Sequence, residues 1–423
     1  MSERFELIAP CHFGLESVLK REIYDLGYEI TSVEDGRVSF IGDAEAVARA
    51  NIGLRTAERV LLNAGSFAAR TWDELYEGTR ALPLERYLPA DAKFWVTKAS
   101  SVKSRLFSPS DIQSVMKKAM VDRLSGIYHV NRFPETGASF PFRVFLKKDI
   151  VTVGIDTTGE SLHKRGYRKA SVRAPIAENL AAALLKLTPW KPGQTLVDPF
   201  CGSGTFLIEA ALMSAGIAPG MHRGFTAADW TQLIAPGVWN DAYEEARESV
   251  RTDVAADLQG YDIDAAAIDA ARENARLAGV ADLVHFQVRP VAELSSRRRN
   301  GIILTNPPYG QRLTGSLEGG SKLLVGTHPK KERLERAREA DDAQTALSAQ
   351  QLQLIYRTLG ERFRALDSWS LYLITAYENA EHDLGLKAAK NRKIYNGMIR
   401  TYFYMFPGAG ASRRKLPKEE DGS

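Results

Sequence analysis

Residues 196–205 read LVDPFCGSGT, and the fold turns on how this stretch is read. The apolar run Leu196–Val197 ends at Asp198, a loop with glycines at 202 and 204 follows, and Thr205 opens the helical pattern TFLIEAALMSAG. The glycines let backbone amides approach a ligand closely, and the helix start aims those amides above the strand. Outward from this loop the chain alternates. IAENLAAALLKL reads as a helix before it; LQGYDID, LVHFQV and NGIILTNPPYG read as strands after it, with the helix AAIDAARENARLAG between the first two. QQLQLIYRTLGERFRAL predicts a further helix, and WSLYLITAY and TYFYMF predict closing strands joined by AAKNRKIYNGMI. Strands spaced by helices imply right-handed crossovers and an α/β, Rossmann-like, doubly wound and mostly parallel sheet, with ligands at the carboxyl ends of the strands.

Upstream the pattern differs. RFELIAP, GLESVLKREIYDLG and GRVSFIG predict strand, helix and strand, a small α+β unit over residues 1–60. A second unit over 61–160 carries the strand KFWVTKAS, the helix PSDIQSVMKKAMVDRLSG capped by Ser110 or Asp111, and the hairpin PFRVFLKKDIVTVGIDT. On that helix Ile112, Val115, Met116 and Met120 form the inward stripe. Lys98, Lys103, Arg105, Lys117, Lys118, Lys147 and Lys148 make the second unit basic, either as a solvated face or as a surface that tracks phosphates. The basic connector GESLHKRGYRKASVRAP opens the third domain, residues 161–408.

The 423 residues exceed one ordinary core. With 44% hydrophobic and 26% charged residues the composition is that of a soluble globular protein, and a net charge of +4 permits a nucleic-acid partner without requiring one. Two distant cysteines, Cys11 and Cys201, offer neither a disulfide framework nor metal spacing, which fits a reducing cytoplasm and no metal. No segment has the length of a signal peptide core or a membrane span. A charged insert near 313–345 is a lid or disordered, with a short helix in KKERLERAREADD, and the tail 409–423 is expected to be unpacked.

The glycine loop has neither the G-x-G-x-x-G spacing of dinucleotide sites nor the lysine of a phosphate loop. Asp198 beside it would repel pyrophosphate and attract an ammonium or sulfonium group, and S-adenosylmethionine carries both. Asp262, at the tip of the next strand and followed by Ile263, is placed to accept ribose hydroxyls, whereas Asp264 suits a helix N-cap. Cys201 within the loop reads as a small buried hydrophobe.

The stretch LTNPPYGQRL, residues 304–313, ends a strand with two rings that donate no hydrogen bond. Pro307 and Pro308 either close a buried strand in a turn or act as a rigid jig. In the second case the Asn306 side-chain oxygen and the Pro307 carbonyl accept the two N–H bonds of an exocyclic base amine. They draw its lone pair out of the ring and toward a methyl donor. Tyr309 then supplies a face on which a splayed base stacks. No strong base is needed, because the amine becomes acidic once methylated.

Together DPFCGSGTFLIEAALM, GYDID, TNPPYGQRL and NRKIYNG resemble the class I S-adenosylmethionine-dependent methyltransferases of bacterial 23S ribosomal RNA that modify guanine N2, a family also labelled as N6-adenine-specific DNA methylases. The resemblance covers nearly the whole chain. CHFGLESVLKREIYDLGY resembles the family's ferredoxin-like piece, SSVKSRLF with IQSVMKKAMVDRL its THUMP RNA-binding domain, and LHKRGYRKASVRAPIAENLAAALL its entry into the catalytic domain. It implies that Asp198, Gly202, Gly204 and Thr205 contact the methionine part of the cofactor, Asp262 its ribose, and Asn306, Pro307, Pro308 and Tyr309 the target base; Cys201 and Ile263 are counted with the cofactor site. It assigns Lys98, Lys103, Arg105, Lys117 and Lys118 to RNA. Two features depart from the family: Pro290 stands in VRPVAEL where an acidic residue usually binds the adenine amine, and the insert after Arg312 is unusual. The expected activity is methylation of guanine N2 in 23S ribosomal RNA. An adenine N6 enzyme, a transfer-RNA guanine methyltransferase and an inactive RNA-binding factor are the alternatives.

Overall fold

The computed structural model describes residues 4–169, 176–309, 349–397 and 399–408. The insert and the tail singled out above lie outside these residues. In chain order the elements are β1 (Phe5–Pro10), α1 (Glu16–Asp25), β2 (Glu29–Glu34), β3 (Arg37–Gly42), α2 (Ala44–Gly53), β4 (Leu61–Ala68), α3 (Trp72–Ala81), β5 (Lys93–Val102), α4 (Pro109–Tyr128), β6 (Ser139–Lys147) and β7 (Ile150–Asp156). They continue with α5 (Glu178–Leu187), β8 (Leu196–Asp198), α6 (Thr205–Ser214), α7 (Pro236–Glu248), β9 (Leu258–Asp262), α8 (Ala265–Leu277), β10 (Val284–Val288) and β11 (Ile302–Thr305). The last are α9 (Ala349–Arg364), β12 (Ser370–Thr375), α10 (Ala380–Leu384), β13 (Lys390–Asn396) and β14 (Ile399–Phe406). Two compact units result, one of Met1–Gln194, Ser203–Leu258 and Asp269–His285, the other of Thr195–Gly202, Gln259–Ile268 and Phe286–Ser423.

The first unit is built on a seven-stranded sheet in the order β2-β3-β1-β4-β7-β6-β5. Pairing runs without a break from the first predicted segment into the second, since β1 bonds β4 through Leu7 with Leu62 and Ile8 with Leu61. Only β5 and β6 pair in parallel, because α4 and the chain after it cross over between them, whereas β6 and β7 form the predicted hairpin. Two strands escape the hydrophobic pattern for different reasons. In β2 no side chain is buried, so its EITSVE sequence shows no apolar run, and β4 ends in the polar alternation GSFA.

Helix α4 starts two or three residues earlier than expected. Ser108 is its N-cap, with Pro109 at the first helical position rather than ahead of the cap. Proline suits that position because its missing N–H would have no partner there. Ile112, Met116 and Met120 are fully buried and Val115 packs beside them, as the stripe predicts. The described part of the basic connector is braced by buried ion pairs. Arg165 pairs with Glu209 on α6 at 3.5 Å and Arg168 with Glu178 on α5 at 3.2 Å, and Arg165, Glu178 and Glu209 are buried. Buried charges persist only when paired in this way.

The second sheet runs β10-β9-β8-β11-β12-β14-β13. β11 is parallel to both β8 and β12, and β14 is antiparallel to β12 and β13. Every residue of β8, β11 and β12 is buried, which explains why these strands read as continuous apolar runs instead of alternating. The segment expected to be a connection, NRKIYNG, is itself the edge strand β13. On one face Tyr356, Leu359, Leu371, Leu373, Tyr404 and Phe406 share a core.

Gly301 precedes β11 because a Cβ there would come within 2.4 Å of the buried Trp369 ring. Gly301→Ala is expected to destabilise the protein by about 1–3 kcal/mol through overpacking, read as a lowered denaturation midpoint.

Candidate active site

The carboxyl ends of β8, β9 and β11 carry the predicted cofactor and base residues. β8 and β11 are neighbours in register, Val197 opposite Ile303. At their ends the Thr305 hydroxyl donates to Asp198 Oδ1 at 2.6 Å, and the Phe200 N–H donates to the same oxygen at 3.1 Å. Asp198 is buried, and desolvation pushes its carboxyl up to about 7, against the pull of those two hydrogen bonds and with a further push from Asp262. A buried carboxyl of this kind is primed to ionise when a cation arrives.

The glycine loop is tied down from the next strand. Asp262 Oδ2 accepts the Gly202 N–H at 3.0 Å, and the Cys201 N–H donates to the Tyr261 carbonyl at 2.9 Å. Gly202 and Gly204 have φ of 49° and 83°, the left-handed region that favours glycine. Asp262 Oδ1 accepts the Asp264 N–H at 3.0 Å, and each carboxylate oxygen keeps a second lone pair for a ribose hydroxyl. Asp264 caps α8 as expected, accepting from the Ala266 N–H at 2.9 Å. Ile263 is 75% exposed, an apolar surface beside the loop. Cys201 is buried and its thiol is held well above its usual range by burial and by Asp198 and Asp262, so it is not a nucleophile.

After the loop, Thr205 opens α6, and its hydroxyl accepts from Arg168 Nη2 at 2.8 Å. Arg168 also donates to the Ile176 carbonyl at 2.8 Å. The sequence reading missed Arg168, Glu178 and Thr305. Arg168 lies in the basic connector and Glu178 at the start of α5, where nothing local marks them as partners; a threonine ending the apolar run of β11 was the available signal for the third.

Asn306 and Tyr309 are half-buried and Pro307 is buried, directly beyond the Thr305 that holds Asp198. Burial raises the Tyr309 hydroxyl above its ordinary pKa. After β10, Arg289 donates its N–H to the Asp262 carbonyl at 2.8 Å and Pro290 caps a short 3-10 turn. Pro290 therefore offers no side-chain acceptor to an adenine amine.

In the first unit Lys98, Lys103, Arg105 and Lys118 are exposed. Lys117 is turned inward. Its Nζ lies 3.8 Å from the centre of the Phe94 ring, donates to the Phe94 carbonyl and pairs with Glu135 at 3.7 Å. Burial lowers its pKa, and its long stem lets it bend toward the core from the border of the apolar stripe.

Residues 6–61 match the RlmL ferredoxin-like domain, residues 69–156 the THUMP domain, and residues 165–324 the domain described as RMKL-like, methyltransferase domain. The chain is 40% identical over 416 residues to the Bacillus subtilis protein named "Putative RNA methyltransferase YpsC", covering 98% of each. This chain belongs to the RlmL-type family of THUMP-domain methyltransferases. A solved structure of "a possible methylase" from Clostridium difficile 630 is 42% identical, with a TM-score of 0.84 over 98% of this chain and 100% of that one. SMU.472, "a putative methyltransferase complexed with SAH", is 36% identical with a TM-score of 0.83, again over 98% and 100%.

In the ligand-free protein the Asp198 carboxyl costs stability as pH rises from the ordinary 3.8 through about 7, because the fold must then carry a buried charge. A cation beside Asp198 reverses that preference. Affinity for a cationic cofactor is therefore expected to fall by up to about tenfold per pH unit below about 7, with proton release on binding, and Asp198→Asn abolishes that dependence. Calorimetric titration over a range of pH checks both.

Proposed function

We propose that this chain is an S-adenosylmethionine-dependent RNA methyltransferase whose target is an exocyclic base amine, guanine N2 of 23S ribosomal RNA. The Thr305–Asp198 hydrogen bond carries the reading. It puts a buried carboxylate suited to a cationic methionine end and a rigid Asn-Pro-Pro-Tyr loop at the ends of adjacent parallel strands. SMU.472 was crystallised with SAH, the demethylated cofactor, and YpsC is named an RNA methyltransferase; both names support the assignment.

The residues present suit this cofactor. Asp198 answers its ammonium, the amides that follow Gly202 in the loop its carboxylate, the Asp262 lone pairs its ribose, and Ile263 its adenine face. When bound, it supplies an electrophilic methyl carbon on a positively charged sulfur. The chain's own task is then to hold the amine. Asn306 Oδ1 and the Pro307 carbonyl accept its two N–H bonds, localising the lone pair, and the two prolines keep both acceptors fixed as charge develops. Tyr309 stacks on the base. Among basic residues Lys98, Lys103, Arg105 and Lys118 face solvent and contact phosphates, whereas Lys117 serves packing.

Asn306→Ala is expected to lower kcat by about 100- to 1,000-fold with cofactor affinity within about a factor of two. Labelled cofactor incubated separately with unmodified ribosomal RNA, transfer RNA and DNA, followed by mass analysis of nucleosides, tests the target; a methyl group on a ring carbon or a sugar would overturn the reading. Lys103→Glu with Arg105→Glu should weaken RNA binding and lower the dependence of log Kd on log salt by about 1 or more, leaving cofactor binding unchanged.

A further inference from the structure

The β13–β14 hairpin is the one sequence motif that the scheme above does not use. Its register places it at the active-site edge of the second sheet. Thr305 of β11 lies opposite Leu373 of β12, and Thr375, the last residue of β12, lies opposite Tyr402 of β14. Residues 399–401 of β14 and their partners 394–396 of β13 therefore project beyond the carboxyl ends of β11 and β12, the ends from which Asn306 emerges.

The projecting hairpin has two unlike faces. Ile394, Thr401 and Phe403 are buried on one. On the other, Lys393 stands opposite Tyr402 and Tyr395 opposite Arg400, two directly paired rungs on the same side of the ribbon. Lys393 Nζ lies 5.2 Å from the Tyr395 ring centre and Arg400 Cζ 5.8 Å from that of Tyr402. Lys393, Tyr395 and Arg400 are exposed, and Arg400 has a loose 3.9 Å pairing with Glu378, itself 83% exposed. Inward, Tyr402 lies 6.1 Å from Tyr404, which is buried in the core with Tyr356. Cations and rings thus alternate on the part of the hairpin that projects beyond the strand ends from which Asn306 emerges.

We propose that the Lys393–Tyr395–Arg400–Tyr402 face of the β13–β14 hairpin binds the single-stranded RNA that flanks the target nucleotide. Charge complementarity and a place beyond the strand ends from which Asn306 emerges select this occupant. A base lifted from its stack leaves neighbours whose phosphates and ring faces need new partners, and cations interleaved with tyrosines supply both. Lysines on an edge strand also deter sheet-to-sheet aggregation, but that role does not call for an exposed tyrosine at the tip. The inference rests on the RNA methyltransferase reading and deepens it.

The test is fluorescence anisotropy of the full chain with a fluorescein-labelled, unstructured RNA oligonucleotide of mixed sequence, measured over a salt series. Lys393→Ala with Arg400→Ala is expected to lower the salt slope by about 1.4, at about 0.7 for each phosphate contact. Tyr395→Ala is expected to weaken binding by about 5- to 100-fold with the slope unchanged, and Tyr395→Phe to restore it. Unchanged cofactor affinity in each variant shows that the fold is intact. Wild-type affinity and slope in all three, or equal losses in Tyr395→Phe and Tyr395→Ala, would overturn the proposal. Because binding is read without turnover, its failure is separable from that of the function: an inactive wild-type enzyme with hairpin-dependent RNA binding sinks only the function, and an active one with indifferent hairpin variants sinks only this inference.

Discussion

The structure of the candidate active site depends on a carboxylate kept out of water. Asp198 sits at the end of a three-residue strand that is buried throughout, and what makes its burial tolerable is a hydroxyl from Thr305 and an amide from Phe200 on one oxygen. The same contact sets the spacing of two loops. Thr305 immediately precedes Asn306, so the bond that satisfies the carboxyl also locates the Asn-Pro-Pro-Tyr turn against the glycine loop. A cationic ligand would complete the arrangement by supplying the charge that the two hydrogen bonds only partly offset, which couples ligand binding to protonation.

Rigidity in the glycine loop comes from the neighbouring strand end. Asp262 spends one lone pair on Gly202 and another on Asp264, while the backbone of Tyr261 holds Cys201. A loop with two residues in the left-handed region would otherwise be among the softest parts of the fold; here its amides are fixed before any ligand binds. Within the first unit, the Arg168 contact with Thr205 secures the first turn of α6 in the same manner. Charges of the basic connector serve as internal braces.

The two sheets carry their cations differently. In the first unit, Lys117 packs against Phe94 and is only partly exposed, while Lys98, Lys103, Arg105 and Lys118 stay exposed. In the second, cations alternate with aromatic rings on a projecting hairpin. An arrangement of the first kind tracks a phosphate backbone whatever the sequence, and one of the second kind also offers ring faces to unstacked bases.

The sequence by itself determined the strands β8 to β12 with the helices α6, α8 and α9 among them, the burial of β8, β11 and β12 as apolar runs, and the loops in which Asp198, Gly202, Asp262 and Asn306 sit. These are local properties: a hydrophobic period, a positive-φ glycine and a proline pair each leave a mark within a few residues. Only the tertiary structure decided that Thr305 holds Asp198 across 107 residues, that Asp262 ties down Gly202, that Arg168 braces Thr205, that Lys117 faces the core and that NRKIYNG is an edge strand. Such features depend on which strand ends become neighbours and which charges lose their water. Both are set by packing between residues far apart in the chain, and no short stretch of sequence records them.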